Sequence, residues 1–472
     1  MNTAFKLIAL MTALIPILAL GQDSDLRAQL LAMPVTPDLG GLTTRPVATM
    51  DAFTFVAANA TPEHRKAFSR GNAVFIALWM PTPGGNPAFE GLGPLFNRNS
   101  CFDCHLQNGR GKAPDGPKQT LDSSLVRVSV PGFDPNGGPN PVPVYGDQIR
   151  NRAIEGVPPE AQPTISWTET KGKYADGTKF TLRAPTIKIT NPGYGPYPRD
   201  VMTSFRVSNP VIGLGLIDSV PESTLEALAD PDDKDGDGIS GQANRVFDMT
   251  TKTKRIGRFG WKSNIASLRH QNANAALTDM GVSTPTLPMD LCRPTQDACA
   301  AAARKAKPTT GSEITPEQFE DVTLYMQLLA VPRQRGSELP DVQRGERVFR
   351  DMGCAACHMP TLMTSPDAAL PELRDQTFHP FTDLLLHDMG EGLADHRPDW
   401  LASGSEWRTT PLWGIGLTAK VSGHTYMLHD GRARGIAEAI LWHGGEAEAA
   451  KEKFRTAPKA TREDLLAFLN SI

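Results

Sequence analysis

The sequence has few cysteines, no marked excess of either charge and no long apolar run beyond its first twenty residues. Six Cys among 472 residues are too few for a disulfide-stapled scaffold, so their spacing carries more information than their number. The 48 basic and 52 acidic side chains give a formal charge of −4, which excludes a dedicated nucleic-acid binder and predicts no nucleic-acid partner. A chain of this length with 42 Gly and 40 Pro is globular, rich in turns and divided into roughly two or three domains.

The apolar run at the N-terminus has the features of a targeting signal. Lys6 precedes the run from Leu7 to Leu20, which is shorter than the ~20 residues that span a bilayer, and Ala19-Leu20-Gly21 ends it with small residues. We therefore predict a signal peptide over residues 1–21, export to the periplasm and no membrane span in the mature chain. A retained anchor is the alternative interpretation.

Four of the six cysteines belong to two C-x-x-C-H motifs, Cys101-Phe102-Asp103-Cys104-His105 and Cys354-Ala355-Ala356-Cys357-His358. This pattern is typical of c-type haem attachment, in which two thiols bond to the haem vinyl groups and the histidine ligates the iron. The alternatives are a zinc site, which would need ligands that close a tetrahedron, and a redox dithiol. The motifs predict two covalently attached haem c groups.

The surroundings of the motifs repeat. Arg70-Gly71-x-x-Val74-Phe75 is echoed by Arg344-Gly345-x-x-Val348-Phe349, and a phenylalanine precedes the first cysteine of each motif by five residues, at Phe96 and Phe349. A closing helix with a start signal follows in each part, marked by Thr315, Pro316 and Gln318 and then by Thr461 and Asp464.

This repeat predicts a mainly α fold with two cytochrome c-like haem domains. The N-terminal domain, residues 22–330, is enlarged by loop-rich, partly β insertions, and the C-terminal domain covers residues 331–472. Alternation from Val126 to Val130 predicts a strand, and Asp176-Gly177 predicts a hairpin turn. We expect the insertions to wrap or lid the haem domain; surface decoration is the alternative.

Several strings resemble the bacterial di-haem oxidoreductase family, whose members are also labelled thiol oxidoreductases. They are Leu92-Gly93-Pro94-Leu95-Phe96-Asn97, Gly257-Arg258-Phe259-Gly260-Trp261-Lys262, Thr382-Asp383-Leu384-Leu385-Leu386-His387-Asp388-Met389-Gly390, Leu428-His429-Asp430-Gly431-Arg432 and Trp442-His443-Gly444-Gly445-Glu446. More distantly, the layout is similar to the di-haem cytochrome c peroxidases and the MauG enzymes. Those relatives use one haem for peroxide chemistry and the other for electron transfer.

The resemblance to the peroxidases also implies roles for single residues. Their His-x-Gly turn matches His429-Asp430-Gly431, and their second axial ligand of the C-terminal haem falls on His443, where Met or Tyr is usual. The alternative is that His443 bonds a propionate or a backbone carbonyl. Trp261 falls where these enzymes have an aromatic residue between the haems, although a plain core tryptophan is an equal interpretation. His387 with Asp383 would support the C-terminal haem through hydrogen bonds.

The histidines are unevenly distributed. None lies between His105 and His270, whereas His358 is followed by His379, His387, His396, His424, His429 and His443. An iron that lacks a strong sixth ligand suits peroxide or another small oxidant. We therefore expect chemistry at the N-terminal haem, with His105 and Trp261 as catalytic residues, and electron relay at the C-terminal haem. Closure of the first site by Met80 or Met202 is the alternative.

An acidic loop resembles the first half of an EF-hand. Asp233, Asp235 and Asp237 alternate and a glycine occupies the sixth position, with the Ile239 carbonyl as a further ligand. The twelfth position is Asn244 instead of the bidentate Glu, so another segment must complete the shell or the affinity is weak. The loop is a candidate Ca²⁺ site; a solvated turn is the alternative.

The two remaining cysteines, Cys292 and Cys299, predict a local disulfide in an exported protein. The combined prediction is an exported di-haem oxidoreductase with peroxidase-like chemistry. Its partners would be a small oxidant and a redox protein such as a small cytochrome or a cupredoxin. The chief alternative is a non-enzymatic di-haem electron carrier, and a thiol or iron oxidase follows only from the family label.

Overall fold

The computed structural model describes residues 22–306 and 311–472, so the signal peptide predicted over residues 1–21 lies outside the described residues. Within those two ranges the helices are α1 Gln22–Ala32, α2 Pro62–Ile76, α3 Cys101–Cys104, α4 Leu214–Asp218, α5 Glu222–Leu228, α6 Leu268–Met280, α7 Asp297–Lys305, α8 Pro316–Gln327, α9 Pro340–Asp351, α10 Thr418–Ser422, α11 Ile436–Trp442, α12 Glu448–Thr456 and α13 Lys459–Ser471. The strands are β1 Leu95–Phe96, β2 Ser124–Phe133, β3 Pro139–Asn140, β4 Arg152–Ala153, β5 Gln162–Lys173, β6 Lys179–Thr190, β7 Met202–Val207, β8 Arg245–Asp248, β9 Thr253–Ile256, β10 Leu362–Met363, β11 Thr377–Phe378, β12 Leu386–Asp388 and β13 Glu406–Arg408.

Helices predominate over strands in this fold, as predicted, and the sheets are small. Within the described ranges the strands pair in antiparallel sheets of two or three. Across the described ranges, no helix has both the length and the apolar character needed to cross a membrane.

A pair of packed helices accompanies the first C-x-x-C-H motif. Helix α2 lies so close to α8 that a Cβ on Gly71 would stand 2.0 Å from the main-chain oxygen of Asp321. Arg70 donates two hydrogen bonds of 2.7 Å to the Asp321 carboxylate, and the rings of Phe75 and Tyr325 lie 5.2 Å apart. Only glycine permits this approach, because any side chain would clash with backbone.

The second motif has the same arrangement. Helix α9 packs on α13, and a Cβ on Gly345 would stand 2.0 Å from the main-chain oxygen of Asp464. Arg344 donates hydrogen bonds of 2.8 and 2.7 Å to the Asp464 carboxylate. The ring centres of Phe349 and Phe468 are 5.4 Å apart. The repeat inferred from the sequence is therefore a repeated pair of helices.

The predicted match of Phe75 with Phe349 is confirmed, because each packs against the partner helix of its pair, whereas Phe96, which shares only its distance from the cysteine, lies in the short strand β1. One predicted start signal was wrong. Helix α13 begins directly after Pro458, so Thr461 lies inside it. Proline favours the first positions of a helix because its φ is already fixed near the helical value. Helix α8, in contrast, begins with the predicted capping box.

A long hairpin from the N-terminal part crosses onto the C-terminal part. Strands β5 and β6 pair along their whole length and turn at Asp176-Gly177, as predicted. At the tip, Asp176 accepts a bond of 2.7 Å from the buried guanidinium of Arg462 on α13. The Tyr174 ring packs against Phe180 at 5.1 Å and against Phe454 on α12 at 6.1 Å. The hairpin is therefore a strap over the last two helices.

A second apolar core joins the insertions to the C-terminal part. Val126 and Phe205 from the paired strands β2 and β7 pack in one cluster with Trp261 and Trp407. The predicted strand from Val126 to Val130 lies within β2. This core brings Trp261 to the region between the two C-x-x-C-H motifs.

Candidate functional site

The first motif lines a cavity of about 250 Å³, called here the N-terminal cavity. Ser100 caps helix α3 with its hydroxyl oxygen, and Cys101, Cys104 and His105 lie in the cavity wall. The Nδ1–H of His105 donates to the carbonyl oxygen of Asn209 at 2.7 Å, which leaves Nε2 for a metal. Burial lowers the pKa of His105 to about 4, so the ring is the neutral imidazole that metals bind.

The second motif lines a cavity of about 460 Å³, called here the C-terminal cavity. Cys354, Cys357 and His358 lie in its wall, and the Nδ1–H of His358 donates to the carbonyl oxygen of Phe381 at 3.0 Å. Burial, assisted by His443, lowers the pKa of His358 to about 4. Burial also raises the pKa of the Cys354 thiol to about 12. Each motif thus presents two thiols beside a neutral imidazole with Nε2 left for a metal.

His443 lies against His358 in the C-terminal cavity. The centres of the two imidazole rings are 6.5 Å apart. Two imidazoles that ligate one iron have ring centres about 6 Å apart, since each metal–nitrogen bond is about 2 Å. His443 follows α11 and its Nδ1–H donates to the carbonyl oxygen of Ala439 at 2.7 Å. That backbone bond, proposed above as an alternative to ligation, is compatible with it because the two use different nitrogens.

The other histidines after His358 are less suited to ligation. Both ring nitrogens are hydrogen bonded in three of them, His379, His387 and His424. His396 is exposed. His429 lines the cavity, but its ring is stacked on Trp407 with the ring centres 3.6 Å apart. His443 is therefore the histidine placed to face His358.

The N-terminal cavity is lined by different side chains. Among the described residues, His105 is the sole histidine that lines it. Helix α6 contributes the amide side chains of Gln271 and Asn274. Neither Met80 nor Met202, the alternative ligands, is part of this wall; the methionine that α6 brings to it is the buried Met280.

One carboxylate lines the N-terminal cavity among the described residues, and it belongs to Asp279. Its Oδ1 accepts a hydrogen bond of 2.7 Å from the Gln148 side-chain amide. Burial raises the pKa of Asp279, and Gln148 and Arg127 only partly oppose this effect. Sequence reasoning missed this residue, since Gln148 lies 131 positions away and nothing local marks the carboxylate.

The two cavities share one wall. Trp261 lines both of them, and its indole N–H donates to the carbonyl oxygen of Val207 at 2.8 Å. The Arg110 guanidinium lies 5.0 Å from the centre of the Trp261 ring. A second tryptophan, Trp413, also lines both cavities and is buried. The sequence gives no periodicity or motif that would mark Trp413.

Two buried arginines in these walls, Arg110 and Arg408, have no carboxylate within ion-pair distance among the described residues. Burial lowers the pKa of each to about 10, so both remain cations at neutral pH. A buried cation without an anion is costly. The walls therefore fit a cofactor that carries carboxylates, as haem does in its two propionates.

His387 lies beside the second motif and joins two carboxylates. Its Nε2 is 2.8 Å from Asp383 and its Nδ1 is 2.8 Å from Glu446, while the Cys357 sulfur is 3.5 Å from Nδ1. Burial is the largest single influence on the pKa of His387 and lowers it, but Asp383 and Cys357 together outweigh burial and raise the pKa well above its usual value. Glu446 also accepts a bond of 2.8 Å from the Ser240 hydroxyl. The predicted contact between His387 and Asp383 is present.

The acidic loop is compact and adjoins the C-terminal cavity. Asp233, Asp235 and Asp237 bring carboxylate oxygens within 4.8 Å of one another, and Asp237 and Ile239 line that cavity. The side chain of Asn244, at the twelfth position, is buried and bonds main-chain groups elsewhere. Asn244 therefore contributes no ligand to the loop, and any cation there would need another oxygen donor or water.

Cys292 and Cys299 are joined by a disulfide in the structure. The buried Cys299 belongs to helix α7 and packs with Leu95 and Val157 in a small apolar cluster. The disulfide thus ties the segment before α7 to that helix.

Each cavity has paired thiols, an imidazole nitrogen left for a metal, and buried cations in its wall. Together the two cavities define an oxidoreductase built to use two haems. The chain belongs to the family described as "Di-haem oxidoreductase, putative peroxidase", whose model matches residues 37–472. The family resemblance inferred from the sequence is thereby confirmed.

Other comparisons add little to this assignment. No curated protein matches the chain. Among solved structures, a chain of hydrazine synthase from Kuenenia stuttgartiensis, pressurized with 20 bar xenon, aligns over 100% of both chains with 12% identity and a TM-score of 0.36. A likeness at that score supports no inference about fold or function.

Proposed function

We propose that this chain is an exported, periplasmic di-haem c-type oxidoreductase. One haem is attached through Cys101 and Cys104 in a cytochrome c-like domain of residues 22–330. The other is attached through Cys354 and Cys357 in a second such domain of residues 331–472. A small oxidant such as peroxide is reduced at the N-terminal site. Electrons from a redox protein, such as a small cytochrome or a cupredoxin, enter through the C-terminal site.

The difference between the cavities carries this proposal. In the C-terminal cavity, the ring centres of His358 and His443 lie 6.5 Å apart, so these two imidazoles would together hold the C-terminal haem. In the N-terminal cavity, His105 is the sole histidine among the described lining residues, and the α6 wall bears the amides of Gln271 and Asn274 and the thioether of Met280 but no second imidazole. An iron whose ligand positions are all filled by the protein suits electron transfer, whereas an iron with one free position suits reaction with a small oxidant.

The chain's own residues can prepare the N-terminal site for peroxide reduction. Haem iron, when bound, supplies the redox chemistry and the coordination position for a small oxidant. The bond from His105 to Asn209 orients the imidazole and makes it a stronger ligand. Because burial raises its pKa, Asp279 retains a proton more readily than an exposed carboxyl does, and it is our candidate for the proton donor.

Two further roles belong to this proposal. Trp261 and Trp413 supply aromatic rings in the wall between the cavities, where electrons would cross. Ca²⁺ bound by Asp233, Asp235 and Asp237 would hold the acidic loop against the C-terminal cavity, with Ile239 as a further oxygen donor.

The test begins with the protein produced where cytochrome c maturation operates. Mass spectrometry should find two covalent haems, and replacing the Cys101 and Cys104 pair or the Cys354 and Cys357 pair should remove one each. The optical spectrum of the ferric protein should show one high-spin and one low-spin haem, and cyanide should change only the high-spin one. A protein with two low-spin haems and no response to cyanide would instead be an electron carrier.

A further inference from the structure

Among the described residues, the wall between the two cavities contains one charged side chain. The residues that line both cavities are Pro210, Trp261, Arg408, Thr410, Pro411 and Trp413. Most of them come from the single segment 408–413, which begins at the last residue of β13. Arg408 is therefore the cation that both cavities have in common.

The surroundings of Arg408 leave its charge unmatched. Its Nε–H donates to the carbonyl oxygen of Gly260 at 2.9 Å and its Nη1 donates to that of Thr409 at 3.2 Å. The main-chain N–H of Arg408 donates to the carbonyl oxygen of Trp261 at 2.9 Å, which fixes the segment 408–413 against Trp261. The nearby Lys262, in contrast, is a buried cation that is paired with Asp395 at 2.9 Å. Carbonyl oxygens satisfy hydrogen bonds, but they do not neutralise a buried charge.

We propose that Arg408 is an anion anchor shared by the two cavities, binding a haem propionate on each side. This inference rests on the proposed function, because the two haems supply the carboxylates. Arginine suits the task, since its planar guanidinium donates in several directions and stays charged. One fixed cation would then stabilise the reduced form of both haems and raise both reduction potentials together.

Arg408→Met tests the shared role, with the potentials of the two haems measured separately in an optical and EPR redox titration. We expect the ratio of reduced to oxidised haem, at a given applied potential, to fall about tenfold at both sites, a shift of about 59 mV for each one-electron couple. Arg110→Met is the matched control, because Arg110 lines only the C-terminal cavity. That variant should shift the C-terminal haem alone, and Arg408→Lys, which keeps the charge, should shift both haems less than Arg408→Met does.

A shift at only one haem in Arg408→Met, or at neither, would overturn the shared anchor. A lower melting temperature with unchanged potentials would assign Arg408 a purely structural role and would overturn it too. If Arg408→Met does not fold, Arg408→Gln provides the same comparison with a neutral side chain that still donates hydrogen bonds. A wild-type chain without two haems would overturn the proposed function as well, whereas two haems with unmoved potentials would overturn the anchor alone.

Discussion

Replacing His443 by alanine removes the imidazole that lies against His358 in the C-terminal cavity. The two ring centres are 6.5 Å apart, close to the separation of about 6 Å expected for two imidazoles on one iron. Among the described residues, His443 contributes no ion pair to the fold, and its side chain is hydrogen bonded to the Ala439 carbonyl. The substitution should therefore change the haem site more than it changes stability.

The expected loss of low-spin signal follows from the number of histidine ligands at each haem. If only the C-terminal haem has two imidazoles, the ferric protein contains about one low-spin haem per chain, and His443→Ala should reduce that amount to nearly zero. Added imidazole should restore the low-spin signal by filling the space left behind. His443→Met should instead keep the haem low-spin and raise its potential, because a thioether favours the reduced iron.

EPR of the ferric protein measures both spin states, and the exposed His396→Ala serves as the control that should change neither. The N-terminal haem should bind cyanide as before. If His443→Ala leaves both spectra native, the ligand is another residue. His429 would then be the next candidate, since His387 has both nitrogens bonded to carboxylates.

Four other predictions follow from the structure. Asp279→Asn should lower peroxide turnover by about 10²- to 10⁴-fold without weakening cyanide binding, because only the proton donor is lost; unchanged turnover would exclude the role. Gly345→Ala should lower the free energy of unfolding by about 1–3 kcal/mol, since its Cβ would meet backbone at 2.0 Å, whereas Gly435→Ala, which meets nothing within 4 Å, should be nearly neutral in a denaturant titration. His387 has a raised pKa, so its stabilising effect should be complete below about pH 6.5 and should disappear as the pH rises through that raised value. The difference in melting temperature between wild type and His387→Gln should therefore become smaller as the pH rises. Removal of Ca²⁺ by a chelator should perturb the C-terminal haem spectrum, and Asp235→Asn should abolish the response; elemental analysis that finds no calcium would contradict this.

Much of the fold that was predictable depends on residues close together in the chain. The start of α8 and the hairpin turn at Asp176-Gly177 each follow from a few neighbouring residues, and both were confirmed. The Cys292–Cys299 disulfide also spans a short separation. The repeated Arg-Gly pair was recognisable in the sequence because both copies keep the arginine that bonds to an aspartate of the partner helix.

Other features depend on contacts between distant segments and left no local pattern. Asp279 acquires its environment from Gln148, and Arg408 acquires its position between the cavities from segments that the sequence separates by more than a hundred residues. Phe96 shares with Phe349 only its distance from the cysteine, because an insertion follows α2. The repeated Arg-Gly string aligns Phe75 with Phe349 instead, and the packing of the two helix pairs confirms that alignment.

The strap formed by β5 and β6 constrains the order in which the chain completes its fold. Asp176 and Arg462 are 286 positions apart. The tip of the hairpin therefore gains these contacts only after α12 and α13 have been synthesised and have docked. Until then the strand edges near the tip are available for wrong pairings. Folding yield should therefore depend on how rapidly α12 and α13 reach their place.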